Sequence, residues 1–130
     1  MDNKALIDMA LKAMENAYAP YSGFKVGAAI LCSDKKVYTG CNIENSSYGA
    51  SNCAERTAIF KAVSEGEREF EKIAIVSSSG DFTFPCGICR QVLSEFMYDK
   101  TVVLFSEKDG ISEFKVKDLL PEAFRLQRGN

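Results

Sequence analysis

Two short stretches carry residue types that do chemistry together: Cys53-Ala54-Glu55 and, further along, Pro85-Cys86-Gly87-Ile88-Cys89. They supply three sulfur ligands and one carboxylate that is not itself spaced as a ligand. Three protein ligands on a tetrahedral zinc ion leave the fourth position open for water, which is the arrangement of a catalytic rather than a structural site. The chain contains no histidine, so the commonest zinc ligand and the commonest general base are both absent. Acid–base work must then fall to a carboxylate, a cysteine, a tyrosine or a metal-activated water.

A C-x-x-C pair by itself also fits a redox dithiol or half of a structural zinc ribbon. A ribbon needs a second C-x-x-C, which this sequence lacks, and a redox pair needs nothing like the Cys-Ala-Glu stretch. The joint pattern therefore favours a three-cysteine catalytic metal site. Glu55 has a plainer reading too, because Asn52-Cys53-Ala54-Glu55 fits the capping box of a helix start. Arg56 would ordinarily be a solvated helix charge, yet three thiolates on one divalent cation leave excess negative charge. A guanidinium donating to a thiolate would offset it. Cys32 and Cys41 fall inside expected strands and read as small buried apolar residues.

The elements that must position these residues follow from periodicity. Leu6, Met9, Ala10, Ala13, Met14, Ala17 and Tyr18 form an apolar stripe at helical spacing, ended by Pro20 and Gly23. Segments 24–32 and 36–43 are rich in β-branched and aromatic residues, and the polar Ser33-Asp34-Lys35 between them suits a hairpin. A polar loop over 44–52 precedes a helix over 53–64, closed by Gly66. A buried strand is expected at 72–78 and a third helix begins at the C-x-x-C, with Ile88, Val92, Leu93, Phe96 and Met97 on one face. Strands at 101–105 and 113–116 and a helical turn over 119–124 complete the pattern. Alternating strands and helices predict the α/β class. In this arrangement both cysteine groups sit at helix starts, where partial positive charge favours thiolate.

Composition bounds the partners. The chain has 130 residues, 46% of them hydrophobic, and a net charge of −2. That is enough for a core of its own and makes a single domain the expectation. No apolar run approaches the ~20 residues that span a bilayer, and the N-terminus lacks the pattern of a secretory leader. No membrane partner and a cytoplasmic location are expected. The absence of a basic cluster argues against a nucleic acid polymer as partner. Five cysteines is an odd number, and reduced thiols or metal ligation suit it better than a disulfide framework.

The sequence resembles the small, homotetrameric, all-cysteine-ligand zinc cytidine deaminases. The resemblance runs from about Tyr18 to Phe124 and is carried by four motifs in order. These are Ala19-Pro20-Tyr21-Ser22-Gly23-Phe24-Lys25-Val26-Gly27-Ala28, Asn42-Ile43-Glu44-Asn45, Cys53-Ala54-Glu55-Arg56, and Pro85-Cys86-Gly87-Ile88-Cys89-Arg90-Gln91. It implies a three-layer cytidine deaminase-like α/β fold, a mixed five-stranded sheet covered by helices, as one catalytic domain over 1–130. It further implies hydrolytic deamination of cytidine and 2'-deoxycytidine, with release of ammonia, in pyrimidine salvage. Zn2+ would be held by Cys53, Cys86 and Cys89, and Glu55 would shuttle protons, as zinc deaminases generally do. The Ala54 backbone would read the pyrimidine edge, Phe24 would contact the base, and Asn42 and Glu44 would bind ribose hydroxyls.

By the same resemblance Tyr48 and Phe124 would reach the site of a neighbouring subunit of a homotetramer, and Arg56 would lie behind the ligands. A carboxylate accepts hydroxyl donors and repels a phosphate, so nucleosides are expected over nucleotides. Two other readings stand beside this one: a deaminase of another small cytosine-bearing molecule, and a zinc-stabilised module without catalysis.

Overall fold

The computed structural model describes residues 1–126. Its first helix, α1 (Asn3–Met14), is capped by Asp2, whose carboxylate accepts from the Ala5 N–H at 2.8 Å. Leu6, Ile7 and Ala10 are its buried face. The helix stops short of the apolar stripe read from the sequence. Ala17 and Tyr18 leave it, because the Tyr18 N–H donates to the Asn42 carbonyl at 3.0 Å and the chain bridges there to Ile43.

Strands β1 (Val26–Cys32) and β2 (Val37–Cys41) form the expected antiparallel hairpin, with Gly27 opposite Cys41 and Leu31 opposite Val37. A polar loop follows, containing one 3-10 turn at Tyr48–Ala50, and leads into α2 (Ala54–Ser64). Strand β3 (Phe70–Ser77) runs antiparallel to β1, and α3 (Gly87–Met97) crosses over to β4 (Thr101–Ser106), which is parallel to β3. Strand β5 (Gly110–Lys115) closes the edge antiparallel to β4. The strand order is β2-β1-β3-β4-β5, so the sheet is mixed and five-stranded.

Helices cover both faces. Ala29, Leu31, Ala74, Val76 and Val103 pack with the buried face of α1. Their alternate neighbours Ala28, Ile30, Ile73, Ile75, Val102 and Leu104 pack on the other side with Ala58, Ile59 and Ala62 of α2 and Leu93 and Met97 of α3. Burial on both faces is why β1 reads as a continuous apolar run and not as an alternating one. The edge strand β5 alternates between half-buried and exposed positions, as a strand with one covered face does.

The C-terminal segment differs from the sequence reading. The short helix α4 spans Val116–Leu119, upstream of the turn expected at 119–124. Pro121 accounts for this: the residue before a proline is driven out of the helical region, and Leu120 sits at φ −143°, ψ 71°. Strand β5 likewise starts earlier than 113, directly at the Gly110 turn (φ +81°).

One contact sets where α2 can lie. A Cβ on Gly40 of β2 would stand 2.5 Å from the Ala58 nitrogen and 2.7 Å from the Ala54 carbonyl oxygen, both backbone atoms that cannot turn aside. Glycine at this position lets the first turns of α2 rest directly on the sheet. Gly40→Ala is expected to displace that turn and to cost about 1–3 kcal/mol of stability, the usual range for overpacking. A shift of about 1 Å in a reacting group costs roughly a hundredfold in rate. Thermal denaturation and turnover measured on one preparation check both effects, and wild-type values in each would show that the approach is not tight.

Candidate active site

Cys53 is the residue that caps α2, and Cys86 caps α3. Cys89 lies in the first turn of α3 and is buried. The two helix starts face each other, and the sulfurs of Cys53, Cys86 and Cys89 all lie within 4.8 Å of one another. The Cys53 and Cys86 sulfurs are 3.7 Å apart. Tetrahedral zinc with Zn–S bonds of ~2.3 Å requires about 3.8 Å between sulfurs, whereas a disulfide requires ~2.05 Å. The donor set therefore fits zinc in both chemistry and spacing, with one tetrahedral position left over.

Nearby donors favour thiolate. The Cys89 N–H points at the Cys86 sulfur at 3.5 Å, and Arg56 Nη2 donates to the Cys53 sulfur at 3.3 Å. Hydrogen bonds from Cys89 above all, then from Arg56, pull the Cys53 thiol down to about 5, and the donating Cys89 thiol is pushed up in return. Arg56 Nε is buried without a hydrogen-bond partner, so this guanidinium is not the solvated surface charge that its position on a helix suggests. The helix start differs from a capping box. Cys53, not Asn52, occupies the N-cap position, and the Asn52 amide donates to Thr57 Oγ1 at 3.1 Å while its backbone bridges to Ile43. Glu55 is thereby free of a capping role.

Glu55 is only 4% exposed. Burial pushes its carboxyl up to about 7, with its own backbone N–H opposing and the neighbouring Cys53 adding to the rise. A carboxyl at that value beside a candidate metal position has the character of a proton-transfer group.

These groups lie on a cavity of about 470 Å³. Cys53, Cys86, Ala54 and Glu55 line it, and Phe24, Asn42, Glu44 and Tyr48 line it from the hairpin and its following loop. The sequence-derived set thus converges on one place, with two exceptions. Cys89 contributes its sulfur to the cluster without lining the cavity. Phe124 is not among the lining residues; its carbonyl accepts from Gln91 Nε2 at 2.9 Å and the residue is 68% exposed.

The polar wall is tied down internally. Asn42 Oδ1 accepts from the Val26 N–H at 2.8 Å, and its amide nitrogen donates to the Phe24 carbonyl at 2.8 Å. One N–H of that amide remains for a ligand. Glu44 Oε1 accepts from the Tyr21 and Ser22 N–H groups at 3.0 and 3.1 Å, and Oε2 accepts from the Ser22 hydroxyl. A carboxylate has about four acceptor sites, so Glu44 keeps about one, on Oε2. The Ser22 hydroxyl first, then the two backbone donors, holds the Glu44 carboxyl below its usual range.

Sequence reasoning missed Thr83, Phe84 and Ile88, which line the opposite wall. Ile88 had been placed on the core face of α3, but it is 62% exposed at the cavity. The apolar stripe of α3 does not include it, since position 88 lies between the two cysteines that face the cluster. Phe84 stacks edge-on with Phe114 of β5 at 5.1 Å, and its place directly before Pro85-Cys86 was the available signal. Of the remaining cysteines, Cys41 is half-buried and Cys32 is fully buried. The Cys32 sulfur lies within 4.8 Å of carboxylate oxygens of Asp34 and Glu67, but burial pushes its thiol up to about 12, so it packs as a neutral group.

The family model described as cytidine and deoxycytidylate deaminase zinc-binding region matches residues 1–105. The chain belongs to this deaminase family. A protein named cytidine deaminase from Sporosarcina psychrophila is 52% identical over 125 residues, covering 95% of this chain and 92% of the relative. The cytidine deaminase of Halalkalibacterium halodurans is 50% identical over 131 residues, covering 100% and 99%. Among solved structures, a cytidine deaminase from Burkholderia pseudomallei superposes with a TM-score of 0.91 at 50% identity, covering 95% of this chain and 100% of the other. The deaminase fold is thus shared along nearly its whole length. Among the described residues, no helix is long and apolar enough to cross a membrane.

Proposed function

We propose that the protein, over 1–130 as one catalytic domain, hydrolytically deaminates cytidine and 2'-deoxycytidine to uridine and 2'-deoxyuridine, releasing ammonia. The observation that carries this reading is a buried carboxylate, Glu55, two residues from a three-sulfur cluster, at a cavity whose far wall presents Asn42 and Glu44. Zinc held by Cys53, Cys86 and Cys89 supplies Lewis-acid activation of water. Glu55 takes the proton released as water adds at C4 of the pyrimidine, delivers it to ring N3, and then carries the proton of the added C4 hydroxyl to the amino group as the C–N bond breaks and the carbonyl forms. Its raised pKa lets one carboxyl both accept and return a proton near neutrality.

The Ala54 backbone lies between ligand and proton carrier and holds the pyrimidine edge, while Phe24 covers the base. The free N–H of Asn42 and the remaining acceptor site of Glu44 take sugar hydroxyls. Arg56 limits the negative charge that three thiolates place behind the metal. Among the described residues the only cation lining the cavity is Arg56, which is engaged with Cys53, while Glu44 is held ionised. A 5'-phosphate would therefore meet repulsion without compensation, which favours nucleosides over nucleotides.

Tyr48 is 74% exposed and Phe124 68% exposed. Tyr48 also lines this chain's own cavity, whereas Phe124 does not; two large aromatics so exposed support an assembly, read as a homotetramer, in which they reach the site of a neighbouring subunit. The location is cytoplasmic and the pathway is pyrimidine salvage. The test is direct: loss of ultraviolet absorbance on adding cytidine, followed with and without a zinc chelator and repeated with cytidine 5'-monophosphate. Chelator-sensitive turnover of the nucleoside with little of the nucleotide is expected. Absence of cytidine turnover by zinc-loaded protein would overturn the reading.

A further inference from the structure

The Ser22 hydroxyl makes two contacts that tie together two residues lining the cavity, Glu44 and Phe24. It donates to Glu44 Oε2 and accepts from the Phe24 N–H at 3.0 Å. Its own N–H donates to Glu44 Oε1 at 3.1 Å. Gly23, at φ +71°, makes the turn that brings residues 22 and 24 round to one oxygen, a conformation that glycine adopts without strain. The turn is closed by the Gly23 N–H on the Ala19 carbonyl at 2.9 Å. Ser22 is not among the residues lining the main cavity; it lines an adjoining one of about 370 Å³ that shares Glu44, Tyr48 and Ser51 with it.

We infer that Ser22 is a positioning residue that sets substrate affinity through Glu44, by fixing which single acceptor site of that carboxylate faces the sugar. The inference rests on the reading of Glu44 as a sugar-binding group. Without the hydroxyl, Oε2 loses the one fixed partner it has among the described residues, and the carboxylate turns about the two N–H bonds on Oε1. The remaining acceptor site then no longer has one direction, and the ordering that Ser22 supplies must come from the bound nucleoside instead. The Phe24 N–H loses its acceptor at the same time, but the Asn42 amide still holds the Phe24 carbonyl at 2.8 Å, so the base side keeps its place. The chemistry at the cysteine cluster does not pass through these bonds, which places the effect on binding and not on the chemical step.

The test compares Ser22→Ala, Ser22→Thr and Glu44→Ala with cytidine and with 2',3'-dideoxycytidine, which lacks the 2'- and 3'-hydroxyls that Glu44 would take and keeps only the 5'-hydroxyl. Ser22→Ala is expected to raise KM for cytidine about tenfold, the usual effect of one hydrogen bond to a charged group, with kcat within about twofold. Its KM for the dideoxynucleoside should stay within about twofold of wild type, and Ser22→Thr should restore the cytidine KM. In the Glu44→Ala background, Ser22→Ala should add nothing further for cytidine, because coupled residues are not additive.

A general loosening of the turn would raise KM for both substrates alike and would overturn the inference. An unchanged cytidine KM in Ser22→Ala, with a raised one in Glu44→Ala, would overturn it while leaving the role of Glu44 intact. An unchanged KM in Glu44→Ala itself would remove the reading on which the inference stands.

Discussion

Glu55→Gln should leave a folded, zinc-loaded protein whose kcat for cytidine is lower by about 10⁴-fold, the upper end of what one positioned acid–base group contributes. The side chain is buried and sits in the first turn of α2 without a capping role, so an isosteric amide fits the same space. Gln offers a hydrogen bond but cannot accept and return a proton. The chain contains no histidine, and the other carboxylate on the cavity, Glu44, is held by Ser22 and Tyr21, so among the described residues no neighbour is placed to substitute. Steady-state kinetics with metal analysis on the same sample checks the prediction. A rate near wild type with zinc retained would remove Glu55 from the reaction.

Cys89→Ala is expected to have a comparably large effect by a different route. Cys89 is fully buried in the first turn of α3 and is one of the three sulfurs of the cluster, and its loss leaves two sulfurs where tetrahedral zinc wants at least three protein ligands. Bound zinc should fall from about one per chain to a small fraction of that, and turnover should fall with it. The metal also joins segments far apart in sequence, since Cys53 and Cys86 are 33 residues apart. By the chain-entropy account of a cross-link, closing such a loop contributes roughly 3–4 kcal/mol, or roughly 10 °C in melting temperature for a domain of this size. Wild-type protein should lose about that much on chelation, and Cys89→Ala should be insensitive to the chelator. Full zinc occupancy in the variant would show that Cys89 is not a ligand.

The parts of the fold that were legible in the sequence are those with strong periodicity. The hairpin of β1 and β2, the buried run of β3 and the three long helices follow from spacing alone, because a two-faced sheet imposes continuous apolar runs and helices impose three- and four-residue steps. The C-terminal turn was misplaced for a local reason, Pro121, but the other failures had a tertiary cause. Tyr18 continues the stripe of α1 but is claimed by Asn42 and Ile43 across the chain, which no local pattern encodes. Asn52 and Glu55 satisfy a capping box by spacing, yet Asn52 is committed to a bridge with Ile43 and its amide to Thr57.

In the site, the cysteines were legible because metal ligation needs particular residue types at particular spacings. Ile88 and Phe84 were not, because an apolar residue at a cavity looks the same in sequence as one in a core. Asn42 and Glu44 were found, but how much of each was already in use was not. Three of the acceptor sites of Glu44, and both ends of the Asn42 amide, are taken by backbone and Ser22. Such internal commitments exist only in three dimensions.

The contacts that shape the sugar-side wall, Ser22 with Glu44 and Asn42 with Phe24 and Val26, are all made within residues 18–48. The contacts that shape the sulfur cluster, including Arg56 with Cys53, are all made within 53–89. Gly40 lying against Ala54 and Ala58 is one place where the two stretches meet. The sugar-side wall and the sulfur cluster are therefore written in separate, consecutive passages of the chain. The first could be exchanged for a variant that accepts a different sugar while the second is left intact, provided glycine is kept at the join.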